Sequence, residues 1–105
     1  PQENGTKSDV RKWIQTNDKG LGLRINSNKL FSASALHYAI NDLDDGAEKD
    51  QRHSPDIPKS KYTNLCIDGA QMGLGGTNSW GAWPLEKYRL HYQDREFNFS
   101  LSVVK

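Results

Sequence analysis

At 105 residues the chain has the length of one small domain, whose core is limited because a chain this short buries only about two-thirds of its unfolded surface. Fourteen basic against thirteen acidic residues leave a net charge of +1, which excludes the basic excess of a nucleic-acid-binding domain, and no apolar run approaches the ~20 residues of a membrane-spanning helix. A single cysteine, Cys66, excludes an internal disulfide and leaves the redox compartment open, cytoplasmic or periplasmic.

Apolar content is low, 34%, and much of it is aromatic: three Trp, four Tyr and three Phe, a mixture that suits strands. Residue 1 is Pro and no signal-peptide pattern follows. The chain is therefore expected to begin inside a longer protein and to run to its natural end at Val103-Val104-Lys105.

In chain order, the first nine residues are polar and read as loop. Val10 to Thr16 reads as a strand. Asn17-Asp18-Lys19-Gly20 is a turn, since Asn, Asp and Gly tolerate left-handed backbone angles. Leu21, Leu23 and Ile25 alternate with Gly22 and Arg24, which predicts a half-buried strand and closes a hairpin. Asn26 to Asn28 reads as a second turn, and a short extended run from Leu30 to Ala35 follows. The one helix candidate lies between Ile40 and Lys49, limited by Gly46 to about two turns. Pro55 and Pro58 make the next stretch irregular.

Tyr62 to Asp68 is the next predicted strand, with Cys66 in it as an inert thiol. Residues 69–81 hold five glycines and must be loop. Tyr88, Leu90 and Tyr92 alternate with Arg89 and His91, which predicts another strand. Phe97, Phe99, Leu101 and Val103 alternate with Asn98, Ser100 and Ser102, the clearest period of two in the chain. Short strands, turn signals and at most one short helix predict an all-β, antiparallel sandwich segment making up a single unit over residues 1–105.

Few residues carry a chemical signature. Asp42, Asp44, Asp45, Glu48 and Asp50 lack the ligand spacing of a Ca²⁺ loop and are interleaved with Lys49 and Arg52, so they read as a solvated face. His37, His53 and His91 form no zinc pattern with each other or with Cys66. No serine occupies a strand–turn–helix nucleophile elbow. The exception is the glycine-rich loop. Long loops cost entropy and are commonly functional. Trp80 sits in it between Thr77-Asn78-Ser79 and Gly81, supported by Gly73, Gly75 and Gly76. An indole so placed is either a plug for a neighbouring surface or a platform for a ligand with an apolar face and polar edges, such as a sugar ring.

The same segment resembles the C-terminal signature of bacterial β-galactosidases of glycoside hydrolase family two. Ile67-Asp68-Gly69, Met72-Gly73-Leu74-Gly75-Gly76 and Ser79-Trp80-Gly81 stand in the family's order. Pro1-Gln2-Glu3-Asn4-Gly5 is similar to its Pro-x-Glu-Asn-Gly, and Asp9-Val10-Arg11-Lys12-Trp13 to its Asp-Val-Arg-Trp strand with Lys12 added. Phe31-Ser32-Ala33, the run from Tyr38 to Leu43, His53, and Tyr88-Arg89-Leu90 follow in order. Asn78 stands where relatives often carry Asp, and the linker from Ala47 to Lys61 is longer than in many of them.

The resemblance implies that this is the last part of a large β-sandwich domain, related in shape to galactose mutarotase, in a homo-oligomeric β-galactosidase that hydrolyses terminal β-galactosides with retention. It places the catalytic glutamates, and any Mg²⁺ and Na⁺, in a barrel domain outside this chain, so that no catalytic or metal-ligating residue and no cofactor is expected here. It implies that Trp80 stacks on the sugar, with Gly73, Gly75, Gly76, Asn78 and Ser79 as its supporting loop. The partners it implies are the galactoside and the remaining domains, not nucleic acid or membrane. The competing expectation is a free-standing carbohydrate-binding or adhesive β-sandwich module.

Overall fold

A computed structural model of the chain describes residues 5–44, 46, 47, 53–73, 78 and 80–105. Four strands form one antiparallel sheet: β1 (Lys7–Thr16), β2 (Gly22–Leu36), β3 (Asn64–Asp68) and β4 (Phe99–Val104). A single turn of helix, α1 (Ile40–Leu43), and two short 3-10 segments, Ser54–Asp56 and Glu86–Tyr88, join them. The expected class, all-β and antiparallel with at most one short helix, is met. The helix expected to run on towards Lys49 stops at Leu43: Asp44 is extended and Gly46, at φ 72°, and Ala47 form a turn, while Asp45, Glu48 and Lys49, like Asp50, lie outside the described residues.

The first hairpin forms as its turn chemistry dictates. Gly20 adopts φ 81°, which an L residue resists, and its N–H donates to the Asn17 carbonyl at 2.9 Å. The Asn17 side-chain oxygen accepts the N–H groups of Lys19 and Leu21 at 2.9 and 3.1 Å. Beyond the turn, Thr16 pairs with Gly22, Gln15 with Leu23 and Trp13 with Ile25.

The expected turn at Asn26–Asn28 does not reverse the chain. β2 runs through it as one fifteen-residue strand and is the spine of the sheet. β1 pairs along one side. On the other side β4 pairs with residues from Gly22 to Ser27, and β3 with residues from Ser32 to Leu36. The polar Asn26-Ser27-Asn28 stretch marks the hand-over between these two neighbours. There the register slips, because Lys12 faces Asn26 whereas Val10 faces Phe31. Ser27 ties the junction, its hydroxyl donating to the Asn98 carbonyl at 2.8 Å. Strand pairing on both flanks outweighs the local turn preference.

Further expectations need correction. Lys7, Ser8 and Asp9, expected as loop, already belong to β1, where Lys7 pairs with Ala33. The Tyr88–Tyr92 alternation does not make a strand: the Tyr88 N–H donates to the Leu85 carbonyl at 2.8 Å and Arg89 N–H to Glu86 at 3.1 Å, which curls the chain. Tyr62 and Thr63 also precede β3 rather than belong to it.

Ile25, Phe31 and Ala33 are the buried centre of the sheet, with Val10, Trp13, Leu65, Ile67 and Phe97 packed around them. Phe97 leans on Phe31 with ring centroids 6.5 Å apart. The Trp13 indole nitrogen is buried without an acceptor among the described residues. β4 begins at Phe99, so Phe97 and Asn98 precede the expected strand, and its apolar residues are not covered: Phe99, Leu101 and Val103 are 45%, 58% and 68% exposed.

Candidate functional site

The glycine-rich arm leaves the sheet at the end of β3. Its stem is fitted to the chain on two sides. A Cβ on Gly69 would lie 2.4 Å from the Phe97 ring, and one on Gly73 would lie 2.7 Å from the Tyr88 Cβ. The Gly73 N–H donates to the Tyr88 carbonyl at 2.7 Å, clipping the arm to the Glu86–Tyr88 turn. Both glycines are therefore required by close approach rather than by backbone angle. Gly73→Ala forces the arm and turn apart and breaks the clip. It is expected to cost about 1–3 kcal/mol of stability, read as a lowered midpoint in urea with the same slope.

At the tip the Trp80 side chain is 91% exposed. The indole is not buried in this chain's interior. The Trp80 N–H donates to the Asn78 side-chain oxygen at 2.9 Å, a local turn that sets the direction of the backbone. Gly81 follows with φ 88°, open to no residue with a side chain without strain. Gly73 and Asn78 thus stand at the base and tip of the arm; Gly75, Gly76 and Ser79 lie outside the described residues.

A second indole, Trp83, lies three residues on and was not singled out from sequence. The Arg89 guanidinium sits 5.6 Å from its ring centre, donates from Nε to the Pro84 carbonyl at 2.7 Å, and pairs with Glu86 at 2.9 Å. His91 reaches the other Glu86 oxygen at 2.7 Å. These ties hold the returning limb of the arm in place. Nothing in the one-letter code brings Arg89 back onto Trp83; the Glu86–Tyr88 turn does so.

Beside the stem an open groove of about 640 Å³ runs between β1, β2 and the arm, lined by Asp9, Phe31, Asp68, Gln71, Met72 and Tyr88 among others. Asp9 sits on a bulge of β1 with φ 56°, a left-handed angle that nothing in its sequence neighbourhood announces. Trp80 is not on this lining. The groove offers carboxylate acceptors and an aromatic ring, which suits hydroxyl-bearing molecules. No three His, Cys, Asp or Glu side chains that could hold a metal ion come together among the described residues. Of the described glutamates, Glu86 is engaged by Arg89 and His91, and Glu96 accepts from the Asn98 amide.

A family model described as beta galactosidase small chain matches residues 1–102. The chain belongs to the β-galactosidase small-chain family. It is 36% identical over 94 residues to the β-galactosidase BgaC of Bifidobacterium adolescentis, a match covering 86% of this chain and 8% of that protein. It is 33% identical over 104 residues to the β-galactosidase of Staphylococcus xylosus, covering 99% of this chain and 10% of that one. It is also 33% identical over 73 residues to the β-galactosidase small subunit of Latilactobacillus sakei, covering 69% of this chain and 21% of that subunit. The chain thus spans about a tenth of the first two relatives and about a fifth of the third. No solved structure is a significant match.

Proposed function

We propose that this small-chain segment is the non-catalytic C-terminal part of a β-galactosidase that hydrolyses terminal β-D-galactosides with retention, and that it lends the sugar site the indole of Trp80. The observation that carries the reading is an indole 91% exposed on an arm whose stem is clipped at Gly73. Membership of the β-galactosidase small-chain family supports the substrate class.

Retention requires two carboxyl groups about 5 Å apart, one as nucleophile and one as acid and base. As the resemblance implies, we assign that pair to a barrel domain of the parent enzyme, outside this chain. Trp80 then acts by binding. Its flat face covers the C–H side of a sugar ring and expels water there, while the hydroxyl edges stay free for polar partners. Catalysis benefits only so far as that contact persists as the ring distorts toward the transition state.

A chromogenic β-galactoside tests the division of labour. The purified 105-residue chain is expected to release no chromophore, while the full gene product does. Turnover by the isolated chain would place the chemistry here and overturn the reading. A coding sequence with no barrel upstream would instead favour the free-standing sugar-binding module.

A further inference from the structure

The arm carries two indoles, and the second is built differently from the first. Trp80 is tied down only through its backbone N–H, to Asn78. Trp83 is 68% exposed, yet the Arg89 guanidinium lies against its ring, 5.6 Å from the ring centre. That guanidinium is itself held at two further points, by the Pro84 carbonyl at 2.7 Å and by Glu86 at 2.9 Å. It is a fixed backing for the indole. With one side backed and two-thirds of its surface open, the ring presents its other face to solvent. A free side chain loses rotamer freedom when a ligand settles on it; a clamped one has lost much of that freedom already.

Resting on the reading of Trp80 as a sugar platform, we infer that Trp83 is a second platform, which takes the next ring of an oligosaccharide beyond the ring on Trp80. Three observations select that ligand. The two indoles are three residues apart, so their Cα atoms lie within about 11 Å, a span that successive rings of one oligosaccharide can bridge. The charges beside Trp83 offset each other, Arg89 being paired with Glu86, so the platform suits a neutral ligand. Its rim is polar as well: Glu86 and His91 touch at 2.7 Å and both are largely exposed. The centre of a protein–protein interface is depleted in charge. A ring face bordered by an accessible carboxylate and imidazole instead meets both surfaces of a sugar, its C–H face and its hydroxyl edge. The Glu86 oxygens each hold one partner already and keep lone pairs for hydroxyl donors.

The full gene product tests this with two neutral substrates, the disaccharide lactose and the trisaccharide galactosyl-lactose. They place one and two sugar rings beyond the bond that breaks. Trp83→Ala is expected to lower kcat/KM for the trisaccharide about fivefold relative to that for lactose. Trp83→Phe keeps a ring face and is expected to recover most of that ratio. Should Trp83→Ala fail to fold, Trp83→Leu keeps apolar bulk without the flat face, and the same fall is expected. A ratio that falls less than about twofold overturns the inference, including the case in which both substrates suffer equally because the arm has merely shifted. A phenylalanine variant no better than the alanine one overturns it too. Trp80→Ala, measured beside them, separates the two readings, since it is expected to weaken both substrates together. If it weakens neither, the reading of Trp80 falls. If it weakens both while the Trp83 ratio stays where it was, the inference falls alone.

Discussion

Replacing Trp80 by alanine in the intact enzyme is expected to raise KM for a β-galactoside, or for an acceptor sugar, by about tenfold, the equivalent of roughly 1.4 kcal/mol. The loss has two parts: the apolar area the indole would cover, at about 25 cal/mol per Å², and the preference of a ring face for C–H groups. Stability should hardly change, because an exposed side chain supports nothing inside this chain. Trp80→Phe should recover part of the affinity by keeping a ring face. Steady-state kinetics on both variants, with the ratio of transfer to hydrolysis, checks this. If Trp80→Ala leaves KM and the transfer ratio where they were, the indole has no place in the site.

Phe31→Ala is expected to have the largest effect on folding, about 3–5 kcal/mol. Phe31 is buried at the centre of the sheet, faces Val10 across the bulged register, and supports the Phe97 ring. Phe97 in turn fills the space above Gly69, so a cavity at Phe31 loosens the stem of the arm as well. Small domains hold only about 5–15 kcal/mol in total, so the variant should lose a large share of its stability. Chemical denaturation followed by tryptophan fluorescence reads the loss directly. A shift under 1 kcal/mol would mean that the three-residue centre is not what holds the sheet.

Much of this architecture is legible in the residues. The first hairpin is written in its alternation and in Asn17 and Gly20, because both signals are local and agree. β4 is written equally clearly in Phe99, Leu101 and Val103. What that alternation cannot state is whether anything lies against the apolar side, since period two reports a face and not its cover. The continuity of β2 is hidden because Asn26-Ser27-Asn28 has turn composition; the partners that override it lie some seventy residues away. The strand expected at Tyr88–Tyr92 fails for the opposite reason. Its alternation is real, but Arg89 and Tyr88 find nearer backbone and side-chain partners at Pro84, Leu85 and Glu86.

The site divides in the same way. Trp80 is visible because a large aromatic among small polar residues has no local reason to be there. Asp9 is not, because its left-handed angle arises from a bulge set by the pairing of Lys7 and Val10 with β2. The Trp83–Arg89 contact is equally invisible, being made by the fold of a turn rather than by spacing along a regular element.

The spine strand carries a consequence for synthesis. β1 and β2 are neighbours in time as well as in space, so their hairpin can close soon after it leaves the ribosome. The outer rim of β2 from Gly22 to Ser27 has to wait for Phe99–Val104, made long afterwards. Throughout that interval a row of amide and carbonyl groups stands ready to recruit any extended chain nearby. Translation that stalls or stops before Phe99 leaves the rim permanently bare, and such truncated products are the ones that should aggregate.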